Sequence, residues 1–223
     1  MYDAIAFDLD GVLLTGYHTA PAVYRRATVE ALTDFEAGVE EPPAALVDPD
    51  DAATARRLCE RFDVPAEPYW GYREHAATVL ENDQIREGER EPFADVDVLE
   101  TLAGSSALAI VSNNRHGTVR FVREYFEWDE HVGAAYGRAP TLAGYDRMKP
   151  DPHYLRTALD TLEVDPADAL FVGDRLSDIE TADRLGADSA LLVREGERPD
   201  GDAQPTFEIA SLEDLLAVEP PAE

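Results

Sequence analysis

Four short, uninterrupted apolar segments constrain the fold of this chain more than any other feature of its sequence. They lie at residues 4–7, 107–111, 169–172 and 190–193. Segments of this length without polar alternation are typical of β-strands that are buried on both faces. Between them, apolar residues recur at helical spacing, as at Val119, Val122 and Phe126. The alternation of strand and helix predicts an α/β fold with a doubly wound, Rossmann-like parallel sheet.

Residues 17–92 lack such buried segments. Their apolar spacing predicts helices at residues 22–35, 52–62 and 69–80. A turn at Gly16 precedes this region and the polar stretch 86–92 ends it, and both are suited to act as hinges. We therefore expect an inserted all-helical cap at residues 17–92 and an α/β core made of residues 1–16 and 93–223.

The charge of the chain limits its partners. There are 47 acidic residues against 19 basic ones, the formal net charge is -28, and 44% of the residues are hydrophobic. That apolar content indicates a globular protein. A surface this acidic repels nucleic acid and anionic membranes, which bind through basic side chains, so we expect neither as a partner. The acids are spread along the chain, which favours solvation in a salt-rich, halophilic cytoplasm over one acidic face for a basic partner.

The same sequence gives no sign of a membrane span or a secretory signal. Its longest apolar run, at residues 107–111, is far shorter than the roughly 20 residues that a spanning helix needs. Neither a basic N-terminal region nor a cleavage-site pattern is present. Cys59 is the only cysteine, so no internal disulfide can form. We expect a soluble, cytoplasmic protein.

A pair of acids follows the first predicted strand. Asp8 and Asp10 are separated by one residue, and Gly11 allows the backbone to turn sharply after them. One carboxylate of such a pair can attack phosphorus while the other protonates the leaving oxygen and later deprotonates water. An Asp-Gly pair between apolar segments is also a common hairpin turn. From these residues alone, the two interpretations are equally supported.

Polar residues also follow the second predicted strand and precede a later helix. The hydroxyl of Ser112 and the amides around Asn113 could hold phosphate oxygens at a helix start, although both residue types are ordinary helix caps. Lys149 is the only lysine among the 19 basic residues, the others being arginine. A chain with this preference for arginine is expected to use arginine at any surface position where a basic residue has no specific function. The exception favours a function for Lys149 as a compact positive charge beside a phosphate.

The third predicted strand ends at Asp174, and Asp178 follows four residues later near the start of a helix. Residues with this spacing share a helix face, so both carboxylates could face one Mg²⁺, a cation that prefers oxygen ligands. An acid in the first turn of a helix also stabilises the helix dipole. That alternative is as well supported for Asp178 as the metal site, but less so for Asp174.

Taken together, these four groups resemble the motifs of the haloacid dehalogenase superfamily, and more narrowly its phosphoglycolate-phosphatase-like members with a helical cap. The resemblance covers the predicted core, about two thirds of the chain. It rests on the motif Asp-Leu-Asp-Gly at residues 8–11, Ser112 with Asn113, Lys149 with Pro150, and Gly173 with Asp174 and Asp178.

This resemblance implies a role for each matching residue. Asp8 would be the nucleophile and a ligand of Mg²⁺, and Asp10 would be the acid-base residue and a ligand through its backbone carbonyl. Ser112, Asn113 and Lys149 would hold the phosphate. Asp174 would be a further metal ligand, and Asp178 would contact the metal or orient its water or Lys149.

The resemblance also narrows the expected reaction. The dehalogenating members of the family lack an acid two residues after the nucleophile, so Asp10 argues for phosphoryl chemistry. Members that cleave phosphonoacetaldehyde, and some mutases, use a lysine of the cap, and residues 17–92 contain none. We therefore expect a phosphoric monoester hydrolase acting on a small phosphorylated metabolite of the phosphoglycolate or sugar phosphate type, through an aspartyl-phosphate on Asp8. The alternatives are a phosphomutase or another hydrolase of this family.

Two further alternatives are proteins that do not turn over a substrate. Strand-end acids with a lysine also describe phospho-accepting receiver domains, which are shorter and have no cap. A noncatalytic protein that binds a partner through the same fold is the other alternative. Both are distinguished from an enzyme by multiple-turnover release of phosphate.

The predicted cap has few residues that could select a substrate. The candidates are His18 and the cluster Trp70, Tyr72, Arg73 and His75. Arg73 could bind a carboxylate or a second phosphate of the substrate. Packing of the aromatic side chains between cap helices, with the other side chains solvated, is the better-supported interpretation.

Overall fold

One parallel sheet organises the chain. The computed structural model describes residues 1–16, 19–194, 196 and 198–221. Their strands are β1 (Ala4–Phe7), β2 (Ala107–Arg115), β3 (Val132–Arg138), β4 (Ala169–Gly173), β5 (Asp188–Leu192) and β6 (Phe207–Ile209). They form a single sheet in the order β3-β2-β1-β4-β5-β6, and every neighbouring pair is parallel. The predicted α/β fold class is confirmed.

Helices connect the strands and cover the sheet. In chain order they are α1 (Pro21–Asp34), α2 (Ala44–Val47), α3 (Ala52–Arg61), α4 (Ala66–Arg86), α5 (Val98–Ala103), α6 (His116–Tyr125), α7 (Leu142–Tyr145), α8 (His153–Leu162) and α9 (Leu176–Leu185). Short 3-10 helices lie at Trp128–Glu130, Pro166–Asp168 and Leu212–Ala217.

Alternate residues of the central strands supply the two cores. Ile5 and Phe7 of β1 belong to one buried apolar cluster, which includes side chains of α5 and α6. Ala4 and Ala6 belong to a second cluster, in which α8 and α9 cover the other face. Strand order reverses at β1, with β2 and β3 on one side and β4 to β6 on the other. In open α/β sheets, ligands bind beyond the carboxyl ends of the strands at such a switch point.

The four predicted strands are present, but β3 and β6 were not predicted. Both lie at an edge of the sheet and pair with a single neighbour. β3 contains Gly133 and Gly137, and β6 is three residues long with Glu208 exposed. Edge strands of this kind need no continuous apolar segment, so the signal that identified the central strands is missing from them.

The region between β1 and α5 is helical, and residues 19–92 contain no strand. α1 to α4 form it, with α1, α3 and α4 close to the predicted positions. Part of this cap packs on the core, because Trp70 contacts Tyr145 of α7 edge to face at 5.1 Å between ring centroids. Tyr17, the first predicted cap residue, lies outside the described residues, and the division at residues 16/17 and 92/93 stays a prediction.

The two connections between core and cap run side by side. Leu14 forms an antiparallel bridge with Pro92, and Thr15 N–H donates to Glu91 O at 2.8 Å. Gly16 adopts φ +85°, which side chains other than glycine rarely tolerate. Among the residues that the structure describes, no helix combines the length and the apolar character needed to span a membrane.

Candidate active site

The carboxyl ends of the three adjacent strands β2, β1 and β4 bring the sequence motifs to one place. Asp8 follows β1, Ser112 lies in the last part of β2, and Asp174 follows β4. Asp174 lines a separate cavity together with Gly11 and Asp95, whereas Asp8 and Ser112 line a cavity of about 310 Å³. Its walls come from core and cap, and its polar lining includes Asp8, Asp10, Thr19, Tyr24, Asp48, Ser112, Asn113, Asn114, Arg138, Lys149, Arg175 and Ser177.

Lys149 is at the centre of this arrangement. Its Nζ lies 2.9 Å from Asp8 Oδ1 and 2.6 Å from Asp178 Oδ1, and it donates to Val111 O at 3.3 Å. The side chain is buried. Burial lowers the pKa of Lys149, but the carboxylates of Asp178 and Asp8 raise it more, so the net shift is upward. Lys149 is therefore a permanent ammonium at neutral pH rather than a solvated surface lysine.

Asn113 holds the backbone of this lysine. Its Oδ1 accepts from Lys149 N–H at 2.7 Å, and its Nδ2 donates to Lys149 O at 3.3 Å. The side chain of Asn113 thus fixes the Lys149 segment against the end of β2. A direct contact between Asn113 and a phosphate stays a prediction.

Ser112 is buried and lines the cavity, but its surroundings differ from the predicted helix start. β2 continues to Arg115 and α6 begins at His116, so the amides of residues 112–114 belong to a strand. Ser112 Oγ accepts from Asn114 N–H at 3.1 Å. The strand was predicted to end earlier because its polar end lacks the apolar pattern. The phosphate-binding role of Ser112 stays a prediction.

Three carboxylates converge beside Lys149. Asp8, Asp174 and Asp178 each offer an oxygen, and these atoms lie within 4.8 Å of one another. Asp174 and Asp178 do not meet by sharing a helix face, as their spacing suggested. Asp174 precedes α9, whose N-cap residue is Arg175. Asp178 instead turns back to the helix start, where its Oδ2 accepts from Arg175 N–H at 3.0 Å, so it caps the helix and also pairs with Lys149.

Burial disfavours the charge of Asp8 and of Asp174. Burial is the largest cause of the rise in the pKa of Asp8 to about 7. The positive charge of Lys149 lowers this pKa, but by less than burial raises it. The charges of Asp178 and Asp10 add to the rise. Burial, followed by the charge of Asp178, also raises the pKa of Asp174 to about 6. The site thus holds more negative charge than its one ammonium can balance.

This donor set fits a hard divalent cation. Three carboxylates against one lysine leave about two negative charges to be balanced at full ionisation. Asp174 Oδ1 is buried and has no hydrogen-bond partner among the described residues, and a buried orphan acceptor of this kind is uncommon without a ligand. Oxygen-only ligands suit Mg²⁺ or Ca²⁺ better than zinc or copper.

The carboxylate of Asp10 is not part of this cluster. Asn114 Nδ2 donates to Asp10 Oδ2 at 3.1 Å and to Oδ1 at 3.3 Å. Arg90 Nη2 lies 2.6 Å from Asp10 Oδ1. The turn after β1 is not a hairpin, because Gly11, at φ +82°, leads into a tight loop and then into the cap. Both oxygens of the Asp10 carboxylate are thus held by neighbouring side chains. Proton transfer by this carboxylate and metal binding through the Asp10 carbonyl stay predictions.

The predicted cap candidates contribute little to the cavity. Trp70 and Arg73 are fully buried, Tyr72 and His75 are exposed, and His18 lies outside the described residues. Arg73 pairs with Glu74 and lies over the Trp70 ring at 4.7 Å. Packing, not substrate binding, therefore accounts for Trp70 and Arg73.

Sequence reasoning missed Arg138, which lines the cavity together with Arg175. Arg138 is the last residue of β3, and its Nε lies 2.9 Å from Glu74 Oε2 on cap helix α4. Its Nη2 also donates to Tyr24 Oη at 3.4 Å. In the sequence, Arg138 is a polar residue that follows Gly137. This position indicates a strand-end site residue only if residues 132–138 are first recognised as a strand.

Gly173 provides a stringent test of the packing around Asp178. A Cβ at residue 173 would lie 2.3 Å from Asp178 Cβ and Oδ2, so Gly173→Ala must displace that carboxylate from Lys149. We expect the turnover of a phosphate ester to fall by about 10²-fold, as misplacement of about 1 Å can cause. The free energy of unfolding should decrease by about 1–3 kcal/mol.

Steady-state kinetics and thermal unfolding measure the two effects. Gly71→Ala is the matched control, because a Cβ there meets only Pro140 O at an ordinary 3.7 Å. Full turnover by the Gly173→Ala protein would show that the position of Asp178 is unimportant.

Comparisons with known proteins identify the family of this chain. The family model described as haloacid dehalogenase-like hydrolase matches residues 2–186. Pyrophosphatase PpaX of Listeria innocua is 25% identical over 96% of this chain and 94% of its own length. PpaX of Bacillus velezensis is 29% identical, but that match covers 39% of this chain and 41% of the relative, which is less than half of its length.

Solved structures share the fold at low sequence identity. CbbY from Rhodobacter sphaeroides, solved in complex with phosphate, is 21% identical with a TM-score of 0.68 and 96% coverage of each chain. A proposed phosphoglycolate phosphatase from Lactobacillus plantarum is 23% identical with a TM-score of 0.63, covering 97% of this chain and 98% of its own.

Proposed function

The chain belongs to the haloacid dehalogenase-like hydrolases, and we propose that it is a Mg²⁺-dependent phosphatase that hydrolyses a small phosphorylated metabolite through an aspartyl-phosphate on Asp8. One observation carries the proposal. The ammonium of Lys149 lies between Asp8 and Asp178, and the three carboxylates of the site meet beside it at the switch point of the sheet.

Asp8, Asp174 and Asp178 would hold the Mg²⁺, with the carbonyl of Asp10 as a further ligand. When bound, the cation neutralises negative charge on the phosphoryl group and orients it for in-line displacement. Lys149 adds a fixed positive charge at 2.9 Å from the attacking carboxylate. Without both charges, a phosphate dianion would be repelled by the acids that must attack it.

The chain's own residues then account for two displacements. An oxygen of Asp8 forms a bond to phosphorus as the bond to the leaving oxygen breaks, and Asp10 gives that oxygen a proton. Asp10 next removes a proton from water, which attacks the phosphoryl group on Asp8 and releases inorganic phosphate. Asp10 suits this work because its carboxylate lines the cavity outside the carboxylate cluster.

The size of the cavity supports a small substrate. About 310 Å³ is at the lower end of the range for ligand pockets. The names of the similar proteins refer to pyrophosphate, phosphate and phosphoglycolate, all of which carry phosphoryl groups. We therefore place the substrate among small phosphorylated metabolites of the phosphoglycolate or sugar phosphate type.

A phosphomutase, another reaction of the family or a phospho-accepting signalling protein are the alternatives. The cap covers the site and provides Tyr24, Val47 and Asp48 to its lining, a wall that a receiver domain lacks. Release of many phosphates per protein molecule would support the hydrolase over the signalling protein and over a noncatalytic binding protein.

We expect turnover of p-nitrophenyl phosphate to require a divalent cation. Excess EDTA should reduce phosphate release to the background, since Asp8, Asp174 and Asp178 then repel the substrate, and addition of Mg²⁺ should restore it. The assay is best carried out in multimolar KCl, because the net charge of -28 points to a halophilic cytoplasm. At about 1 M salt the screening length is roughly 3 Å, so the substrate is affected by the charges of the site itself and not by the distant acidic surface.

Calcium is the matched control for this experiment, since it also binds carboxylates but favours larger and less regular coordination. Undiminished turnover in EDTA by protein freed of metal would contradict the proposed cofactor. A screen of phosphorylated metabolites under the same conditions would then identify the ester that is preferred.

A further inference from the structure

We infer that Arg90 is the positioning residue for proton transfer: it holds the carboxylate of Asp10 and makes its position depend on the docked cap. The inference rests on the proposed function, because it takes Asp10 as the acid-base residue. Arg90 lies in the second connection between cap and core, which the sequence identifies only as a polar hinge.

The guanidinium of Arg90 joins three parts of the molecule. Nη2 lies 2.6 Å from Asp10 Oδ1, and Nη1 lies 2.6 Å from Glu81 Oε1 on cap helix α4. Nε donates to Thr15 O at 2.8 Å and Nη2 to Gly16 O at 3.4 Å, both in the first connection. A planar group with five donors can satisfy all these acceptors at once, which a lysine ammonium cannot.

Glu81 fixes the cap side of this contact. Its side chain is fully buried, pairs with Arg115 of β2 and accepts from Thr19 Oγ1 at 2.9 Å. Arg115 Nη2 in turn donates to Thr19 Oγ1 at 3.1 Å. A buried carboxylate that is held from several sides has little freedom to move, so Glu81 gives Arg90 a defined position.

Among the described residues, the two side chains that donate to the Asp10 carboxylate, Arg90 and Asn114, are tied to the same cap residue. Arg90 contacts Glu81 directly, and Asn114 Nδ2, which donates to both Asp10 oxygens, also lies 3.2 Å from Glu81 Oε1. Movement of α4 away from the core would remove Glu81 and release Arg90 and Asn114 together. Asp10 would then be held for proton transfer only while the cap is docked, as expected of closure that completes a catalytic site.

If Arg90 only stabilised the docked cap, its replacement would give a different kinetic pattern from that expected for a residue that positions Asp10. Loss of proton transfer slows a reaction most when the leaving oxygen is strongly basic, because that oxygen depends on the proton it receives. Phenolate is more basic than p-nitrophenolate. The ratio of kcat/KM between phenyl phosphate and p-nitrophenyl phosphate therefore reports on Asp10, whereas general destabilisation lowers both values alike.

The experiment measures kcat/KM for the two esters with the Arg90→Met protein in Mg²⁺ and high KCl. We expect a loss of about 10–100-fold for phenyl phosphate and a several-fold smaller loss for p-nitrophenyl phosphate. In an Asp10→Asn background, the same substitution should change kcat/KM by less than about 3-fold, because the two residues act as one unit. Arg120→Met is the control, since Arg120 is an exposed arginine that pairs with Glu124 on the surface of α6.

Equal losses with the two esters, or full additivity with Asp10→Asn, would overturn the inference. Arg90→Lys keeps the positive charge but loses the planar guanidinium. Its kcat/KM should therefore also fall more for phenyl phosphate than for p-nitrophenyl phosphate, but by a smaller factor than in the Arg90→Met protein. This variant serves as the test if the Arg90→Met protein does not fold. A wild-type protein that hydrolyses neither ester would instead refute the proposed function.

Discussion

Replacement of Asp8 by asparagine is expected to abolish the hydrolysis of p-nitrophenyl phosphate in Mg²⁺ and high KCl. An amide is a poor nucleophile and cannot form the aspartyl-phosphate, so we expect a loss of at least about 10³-fold. Loss of a nucleophile has cost up to about 10⁶-fold in another hydrolase. Wild-type protein quenched in acid during turnover should carry one phosphoryl group by mass spectrometry, and the Asp8→Asn protein should carry none.

The fold should survive this substitution. Burial raises the pKa of Asp8 to about 7, so at pH values above that the folded protein holds a carboxylate that its surroundings disfavour. A neutral amide of similar size removes this cost, and the midpoint of thermal unfolding in metal-free buffer should not fall. Loss of activity can then be assigned to chemistry.

Asp3→Asn provides the matched control for the same strand. Asp3 is exposed and precedes the amino end of β1, away from the cavity, so its replacement should leave turnover unchanged. Undiminished hydrolysis by the Asp8→Asn protein would refute the nucleophilic role, whatever the result with Asp3.

Replacement of Lys149 should damage both stability and activity. In the Lys149→Met protein, Asp8 and Asp178 would lose their shared counter-ion within 2.9 Å and 2.6 Å. Removal of one partner from a buried ion pair costs about 3–5 kcal/mol. We expect a lower free energy of unfolding in urea and a loss of turnover comparable to that of the Asp8 variant.

The pH dependence follows from the direction of the pKa shift. The pKa of Lys149 is raised in the fold, because the effects of Asp178 and Asp8 exceed the opposing effect of burial. Its contribution to stability is therefore complete at neutral pH and is lost only as the pH rises through the raised value. The difference in stability between wild type and Lys149→Met should accordingly persist at pH 7 and shrink in strongly alkaline solution.

Lys149→Arg separates charge from shape. The ammonium occupies a compact space between two carboxylates, Val111 O and the ring of Phe171, whose centroid is 5.3 Å away. A planar guanidinium keeps the charge but needs more room, so we expect a loss in kcat/KM of about 10²-fold. Wild-type kinetics of the Lys149→Arg protein would show that a compact charge is unnecessary. Arg120→Met again reports the effect of removing an exposed charge.

The sequence predicted the central part of the fold well and its periphery less well. β1, β2, β4 and β5 were recognised because strands buried on both faces must be apolar at every position. β3 and β6 escaped because edge strands meet no such requirement. Helices α1, α3 and α4 were found from their apolar spacing, whereas the four-residue helices α2 and α7 are too short to show a period.

The candidate site shows the same division. Asp8, Lys149, Asp174 and Asp178 follow from motif order and from the use of a single lysine, and the structure brings them together. The prediction that Asp174 and Asp178 share a helix face was wrong, since Asp174 precedes α9. Asn113, expected at the phosphate, is engaged by the backbone of Lys149.

By itself, the sequence determined the four central strands of the sheet, the presence of a helical insertion and the residues at the strand ends. These features depend on burial and on chain order, which leave a pattern in neighbouring residues. Only the tertiary structure decided that Arg138 lines the cavity and that Arg90 and Glu81 connect the cap to Asp10. Arg90 and Asp10 are 80 residues apart, and their contact depends on how the cap docks, which leaves no local pattern in the sequence.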